Sequence, residues 1–451
     1  MIVMKFGGTS VQDSAAIERL IEIVRRKIEL RPVIVVSALS KVTDSLQNIA
    51  NLSFRGDLKS ALALTESLQK RHIEMTSELL SQNQAYLAES LSQIDDYFGK
   101  LREIVGVVNI LEELSNKSMA KILSFGELLS SYIIYRALNN SGVKCAIADA
   151  RGFIITDDEF LKGEPDYNSI RELAPKALNS ALEGNDVVIT QGFISGTKDG
   201  LNTVLGRGGS DYTAALIGMA MGATEIEIWT DVDGVHTTDP RRVGNTRSIS
   251  TMSFSEAAEL SFFGAKVLHP ATIQPAIEKN IPVRVLNSTE PQNRGTLILR
   301  DDEITSSGVK AISFKENIIV INIFSMKMLN TFGFLTKLFE VFGKYGVSVD
   351  LISTSEVSVS LTVDNDHNLD KLTQEISRFA NVTVKYDKSQ VSVVGKNLKE
   401  TKGLAKRIFG AICEHNITMI SQGASDINVS FVVNKEDLDC VITALHKEFF
   451  E

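Results

Sequence analysis

The sequence predicts an α/β fold, an open and mostly parallel sheet with helices on both faces, followed by a pair of smaller α+β modules. Three observations carry this. Short apolar runs, Ile2–Met4, Pro32–Val36, Lys144–Ala148 and Asp186–Thr190, are spaced by helical patterns, as in a sheet whose parallel strands are buried on both faces. Several run into loops of glycine or serine, where open α/β sheets bind ligands. Near the C-terminus, Gly333–Asp364 aligns without gaps on Gly403–Asn434 at an offset of 70, matching Phe339 with Phe409, Ser355 with Ser425 and Val359 with Val429.

The first strand runs into Lys5 and then Gly7-Gly8-Thr9-Ser10, and Asp13-Ser14 offers an N-cap before Ile17, Leu20, Ile21 and Val24. Adjacent glycines let the backbone approach an anion, and the helix start adds unpaired N–H groups. The second strand ends in Ser37-Ala38-Leu39-Ser40. Ser37, Ser40 and Thr43 are either ligand contacts or turn and cap residues. Leu58 to Asn139 reads as a helical lobe, in which Ser124-Phe125-Gly126-Glu127 precedes an apolar helical face. Glu127 is either a first-turn dipole partner or a carboxylate facing a bound ammonium.

The densest signal is Thr203–Tyr212, TVLGRGGSDY, where three glycines surround Arg207 and Ser210-Asp211 opens an apolar helix. It is a second anion-cradling turn, and Arg207 supplies a planar fork for a carboxylate or phosphate. Glu225–Trp229 predicts a strand ending in Thr230-Asp231-Val232-Asp233-Gly234, which holds a ribose or adenine edge or simply forms an Asx turn. Phe263–Pro270 places Lys266 beside glycine ahead of a helix, and Pro282–Leu286 and Gly295–Leu299 are late strands. After a polar linker, each repeat predicts a helix (Phe334–Tyr345; Leu404–His415), a strand (Val347–Ile352; Ile417–Gln422) and an alternating strand (Val357–Val363; Ile427–Val433).

With 451 residues, 43% hydrophobic and 23% charged, the chain is long enough for two or three domains. No apolar run approaches the roughly 20 residues that span a bilayer, and no export signal is apparent, so a cytoplasmic protein without a membrane partner is expected. Cys145, Cys413 and Cys440 are isolated, which fits a reducing compartment and no protein metal site. A net charge of −9 argues against a nucleic-acid surface. Lys5, Arg207 and Lys266, each beside glycine in an acidic chain, therefore point to a small polyanion, with ATP the candidate. Protein-kinase, Walker and GxSxG motifs are missing. Cations and glycines without a candidate base suit an acceptor that is already ionised at pH 7, such as a carboxylate.

KFGGTS, SFGE, LGRGGSDYTAAL, WTDVDG, TTDPR and FGAKVLHP, in this order and followed by the doubled module, resemble the aspartokinases of the amino acid kinase family, of the lysine-sensitive monofunctional type. The resemblance covers essentially the whole chain. It implies ATP-dependent phosphorylation of the β-carboxylate of L-aspartate to 4-phospho-L-aspartate, the first step toward lysine, threonine and methionine, with Mg²⁺ carried by the nucleotide. By the same resemblance, Lys5 stabilises the transferring phosphoryl group and Asp211 orients the substrate and this lysine. Thr43, Glu127, Arg207 and Ser210 hold aspartate, and Gly7, Gly8, Thr9, Ser10, Thr230, Asp231, His236, Arg241, Lys266 and Val267 line the nucleotide site.

The repeat looks like tandem ACT domains of ferredoxin-like type. The resemblance implies residues 1–299 as the kinase domain, 300–308 as linker, 315–390 as the first ACT domain, and 309–314 with 391–451 as the second. It implies feedback by L-lysine bound at Met328, Thr331, Phe334, Leu335, Ser348, Val349, Asp350, Ser355 and Glu356, and a homodimer or homotetramer formed through the ACT domains. Phe125 and His236 depart from the family pattern, which more often has a small or polar residue and a tyrosine there. A kinase of another small carboxylate such as glutamate, and an inactive amino-acid sensor, are the competing readings.

Overall fold

The computed structural model describes residues 1–262, 270–304, 306–329, 332–365 and 367–451. It divides into two compact units. One comprises Met1–Val235, Ser250–Phe254 and Val267–Glu303; the other comprises His236–Ile249, Ser255–Lys266 and Ile304–Glu451. Two stretches that the sequence reading put inside residues 1–299 thus pack with the C-terminal modules.

The first unit opens with β1 (Val3–Phe6), α1 (Ser14–Arg25), β2 (Val33–Val36) and α2 (Val42–Phe54). Asp13 caps α1 by accepting from the Ala16 N–H at 2.8 Å. The helical lobe then follows as α3 (Leu58–Leu80), α4 (Gln84–Leu111) and α5 (Asn116–Asn140). Next come β3 (Cys145–Ala148), β4 (Ile155–Thr156), α6 (Tyr167–Leu182), β5 (Val187–Gln191), β6 (Ile194–Thr197), β7 (Asn202–Val204), α7 (Gly209–Met221) and β8 (Ile226–Thr230). β9 (Thr251–Ser253), α8 (Phe254–Phe262), α9 (Pro270–Lys279), β10 (Val283–Asn287) and β11 (Thr296–Leu299) complete the series.

The large sheet has the order β3-β5-β2-β1-β8-β10-β11-β9. Its first six strands run parallel, and β10 with β11 forms the antiparallel pair. β1 pairs with β2 on one side and β8 on the other, so the order reverses there, at the position where doubly wound sheets open a ligand crevice. β1, β2 and β5 are buried along their whole length, as strands covered on both faces must be. No helix among the described residues is long and apolar enough to cross a membrane.

The second unit is built on one six-stranded antiparallel sheet. After β12 (Gly308–Phe324) and α10 (Phe334–Tyr345) come β13 (Ile352–Thr354), β14 (Ser358–Val363), α11 (Leu369–Ile376), β15 (Asn381–Lys396), α12 (Leu404–Ala411), β16 (Met419–Gln422), β17 (Asn428–Asn434) and α13 (Leu438–Phe450). The sheet order is β13-β14-β12-β15-β17-β16. β12 and β15 are long enough to serve both modules. Ile318–Phe324 pairs within the first, while Gly308–Lys315 pairs with Gln390–Lys396 beside β17 of the second. A bulge separates the halves, where Asn317 has φ of 58°. Val320, Leu351, Met419 and Val432 pack together in a small cluster of their own. α10 begins and ends at the predicted residues, but only Ile352–Thr354 of the neighbouring stretch is a strand, because Val347 and Leu351 turn inward as a buried loop.

Candidate active site

The cationic turn of the first unit is assembled at the carboxyl ends of β1, β2, β5 and β8. Lys5, 9% exposed, pairs through Nζ with the Asp211 carboxylate at 2.7 Å. Asp211 stands in the first turn of α7, whose N-cap Gly208 adopts φ of 71°, a left-handed conformation that suits glycine. Gly206 does the same with φ of 73° on the other side of Arg207. The loop thus delivers an exposed guanidinium to a helix start with open N–H groups.

Two contact chains tie this corner together. The Ser37 hydroxyl donates to Ser210 Oγ at 3.0 Å, and the Ala38 N–H donates to Glu127 Oε1 at 3.0 Å, so β2's loop links α7 to α5. Gly192 lies against Ser210, where a Cβ would come within 2.6 Å of Oγ. Opposite, the Gly7 N–H donates to Trp229 O at 3.0 Å and Ser10 Oγ meets Ser288 Oγ at 2.8 Å. A Cβ on Gly7 would sit 3.6 Å from Lys5 Nζ, in ordinary contact with it, so the glycine turn lies directly beside the ammonium.

Glu127 is wholly buried, and its Oε2 has no hydrogen-bond partner. Burial pushes its carboxyl up to about 8 against the pull of the Ala38 N–H. The first-turn dipole role is excluded. The Ser124 hydroxyl donates to Lys121 O within the helix, and α5 starts well upstream with Ser115 as the capping residue, leaving Glu127 mid-helix. A buried, half-satisfied carboxylate without a cation partner costs stability, so its retention needs a reason other than packing.

Thr43 lies half-buried in the first turn of α2, and Thr9 is exposed beside the glycine turn. Thr230 donates to Asp231 Oδ1 at 3.1 Å at the end of β8. His236 and Arg241 belong to the second unit, where His236 Nδ1 meets Thr246 Oγ1 at 3.2 Å and Arg241 forks onto Asp239. Lys266, Val267 and Thr331 lie outside the described residues. Ser288 was missed by sequence reasoning. It bonds both Ser10 and Thr230 O, and the polar Asn287-Ser288-Thr289 closing an apolar strand was its signal.

In the second unit, Met328, Phe334 and Val349 pack half-buried on the first module's core, while Leu335, Ser348, Ser355 and Glu356 are exposed. Asp350 is ion-paired with Lys315 at 2.9 Å, and Lys315 also pairs with Asp364. Burial and the neighbouring Asp364 push Asp350 up to about 6.

The pattern of the Amino acid kinase family matches residues 1–287, and that of the ACT domain matches 321–370 and 391–449. Across its whole length the chain is 35% identical to the lysine-sensitive aspartokinase 3 of Escherichia coli K12, covering 99% of it. It is 36% identical to the chloroplastic aspartokinase 1 of Arabidopsis thaliana, covering 80% of that protein. Crystallised E. coli aspartokinase III in complex with aspartate and ADP superposes with a TM-score of 0.85 at 34% identity, each chain covered completely. With its glycine-turn lysine, its Arg-Gly-Gly helix start and its doubled C-terminal module, the chain belongs to the aspartokinases of the amino acid kinase family.

Proposed function

We propose that the protein transfers the terminal phosphoryl group of ATP to the β-carboxylate of L-aspartate, giving 4-phospho-L-aspartate for the lysine, threonine and methionine route, and that L-lysine inhibits it through the ACT pair. The observation that carries the reading is the Lys5–Asp211 ion pair bonded, through Ser210, Ser37 and Ala38, to the buried carboxylate of Glu127. It brings a cation for phosphate and an anion for an amino group to one edge of the sheet.

The acceptor carboxylate is ionised at neutral pH, with a pKa of about 4, so no base is needed. The barrier is repulsion between two anions and their alignment. Lys5, held by Asp211, neutralises the moving phosphoryl oxygens, and the Gly7–Gly8 turn offers backbone donors to the rest of the triphosphate. Arg207 takes the aspartate α-carboxylate in its planar fork, Glu127 faces the α-ammonium, and Thr43 and Ser210 complete the pocket. Thr230, Asp231, His236, Arg241, Lys266 and Val267 hold the nucleotide. Mg²⁺ prefers oxygen ligands and arrives on the phosphates, where it supplies further charge neutralisation; the exposed Asp231 carboxylate beside Thr230 is a donor set of that kind.

The domain limits follow the same reading: kinase 1–299, linker 300–308, first ACT domain 315–390, and second ACT domain 309–314 with 391–451. Crystallised E. coli aspartokinase III in complex with lysine and aspartate, 35% identical with a TM-score of 0.84, supports lysine as the effector, and we place it at the site containing Asp350 and Glu356. Exposed apolar side chains on the second unit, Ile352 of β13, Ile420 of β16, Met326 and Phe332, support assembly of two or four copies through the ACT domains. The test is ADP release with aspartate or glutamate as acceptor, with and without lysine and threonine. Aspartate alone should support turnover, and lysine should suppress it. Equal turnover with glutamate sinks the acceptor assignment, and inhibition by threonine alone sinks the effector assignment.

A further inference from the structure

The bulge in β12 carries Lys315 and Glu316, and each reaches a different part of the unit. Lys315 Nζ pairs with Asp350 at 2.9 Å and with Asp364, and lies 5.2 Å from the ring centre of Phe262 at the end of α8. Glu316 pairs at 2.7 Å with Arg242, whose guanidinium also bonds Asp439 and lies 4.7 Å from the Phe314 ring centre. Arg242 directly follows Arg241, and Phe262 precedes Lys266 by four positions. Both are read above as nucleotide-binding.

The two segments are fixed to the sheet at further points. Ile312 N–H donates to Thr237 O at 2.7 Å, and His446 Nε2 meets Thr237 Oγ1 at 3.0 Å. Lys310 Nζ pairs with buried Glu256 at 2.8 Å, and Asn428 donates to Glu259 at 2.9 Å. Segments 236–249 and 255–262 are thus hydrogen-bonded and ion-paired to the second unit's sheet and its helix α13.

We propose that Lys315 is an internal stand-in for the effector's ammonium and the relay that reports effector binding to the nucleotide-side segments. The inference rests on the reading of Asp350 as an effector ligand. Asp350 is 5% exposed in its side chain and already holds one cation, so an incoming ammonium competes with Lys315 for it. Displaced toward Asp364, Lys315 loosens its hold on the Phe262 face, and α8 is released at its C-terminal end. Losing a cation from over an aromatic ring at a partly exposed site shifts an equilibrium about two- to fivefold. The neighbouring Glu316–Arg242 pair, one residue along the same bulge, feels the same backbone shift.

The full-length protein tests this with labelled L-lysine binding by equilibrium dialysis and, in parallel, the effect of lysine on KM for ATP. Lys315→Met should bind lysine about tenfold more tightly, since Asp350 is no longer shared, while the lysine-induced rise in KM shrinks several-fold. Lys315→Arg, which keeps the cation, should stay within about twofold of wild type in both. Phe262→Leu leaves the Asp350 pair in place, so it should bind lysine normally and still lose most of the inhibition. Full inhibition of Lys315→Met or Phe262→Leu at matched lysine occupancy overturns the relay, as does loss of lysine binding in a folded Lys315→Met. A wild type that neither binds nor responds to lysine overturns the effector reading and the relay with it.

Discussion

Glu127→Gln separates substrate capture from phosphoryl transfer. An ionised Glu127 about 4 Å from the aspartate ammonium is worth roughly 4 kcal/mol at an effective dielectric of 20. The unliganded carboxyl titrates near 8, so at pH 7.5 it is mostly protonated and must lose its proton as aspartate enters, which costs about 1 kcal/mol. The net of about 3 kcal/mol predicts a rise in KM for aspartate of about a hundredfold, with kcat and KM for ATP changed by no more than a few-fold. Glutamine keeps the acceptor for the Ala38 N–H, so the fold should survive.

The pH dependence is a second readout of the same substitution. The folded-state value lies above the ordinary 4.5, so Glu127's contribution to stability is complete below pH 4.5 and is lost as pH rises through about 8. Glu127→Gln should therefore melt higher than wild type at pH 8.5, by an amount bounded at about 5 kcal/mol. Wild-type affinity for aspartate should improve up to about tenfold per pH unit up to about pH 8 and then level off. Steady-state ADP release across pH 6–9 with thermal melts measures all of this. An aspartate KM unchanged by the substitution, or an identical pH slope in both proteins, refutes Glu127 as the ammonium ligand.

Lys5→Ala should lower kcat by two to four orders of magnitude with an unchanged circular dichroism spectrum, because it removes the cation that meets charge developing on the phosphoryl oxygens. Wild-type turnover in that variant removes Lys5 from the mechanism. Arg207→Lys should raise KM for aspartate about tenfold or more, since a point charge cannot replace a bidentate fork; isothermal titration with aspartate checks it. Gly192→Ala should destabilise by about 1–3 kcal/mol and cut activity, because its Cβ would press within 2.6 Å of Ser210 Oγ; urea unfolding and kcat measure the two effects.

The anion-binding turns were legible because glycine next to a cation is a local signal. Gly206 and Gly208 adopt the left-handed conformations that their spacing around Arg207 implied. α10 could be placed to the residue because glycine flanks it at both ends. Glu127's surroundings were not legible. As a sequence, Glu127 fitted a first-turn dipole partner as well as an ammonium ligand, and only tertiary packing shows that the carboxylate is mid-helix and sealed between α5 and the loop after β2. The grouping of 236–249 and 255–262 with the C-terminal unit was equally hidden, since it rests on pairs such as Arg242–Glu316 and Lys310–Glu256, whose partners lie more than fifty positions apart. The continuous run of β12 was obscured by its own bulge, where Lys315-Glu316-Asn317 interrupts the apolar pattern.

β12 and β15 thread through both halves of the second unit, so the halves are joined by two continuous strands rather than by a linker. Cutting the chain before Asn381 would take β15, the strand that pairs with β12 along both halves, from both at once. Regulatory variants in this protein are therefore best made one side chain at a time. Chemical unfolding of the region should trace one sigmoid rather than two, as befits a pair of modules that share a backbone ladder.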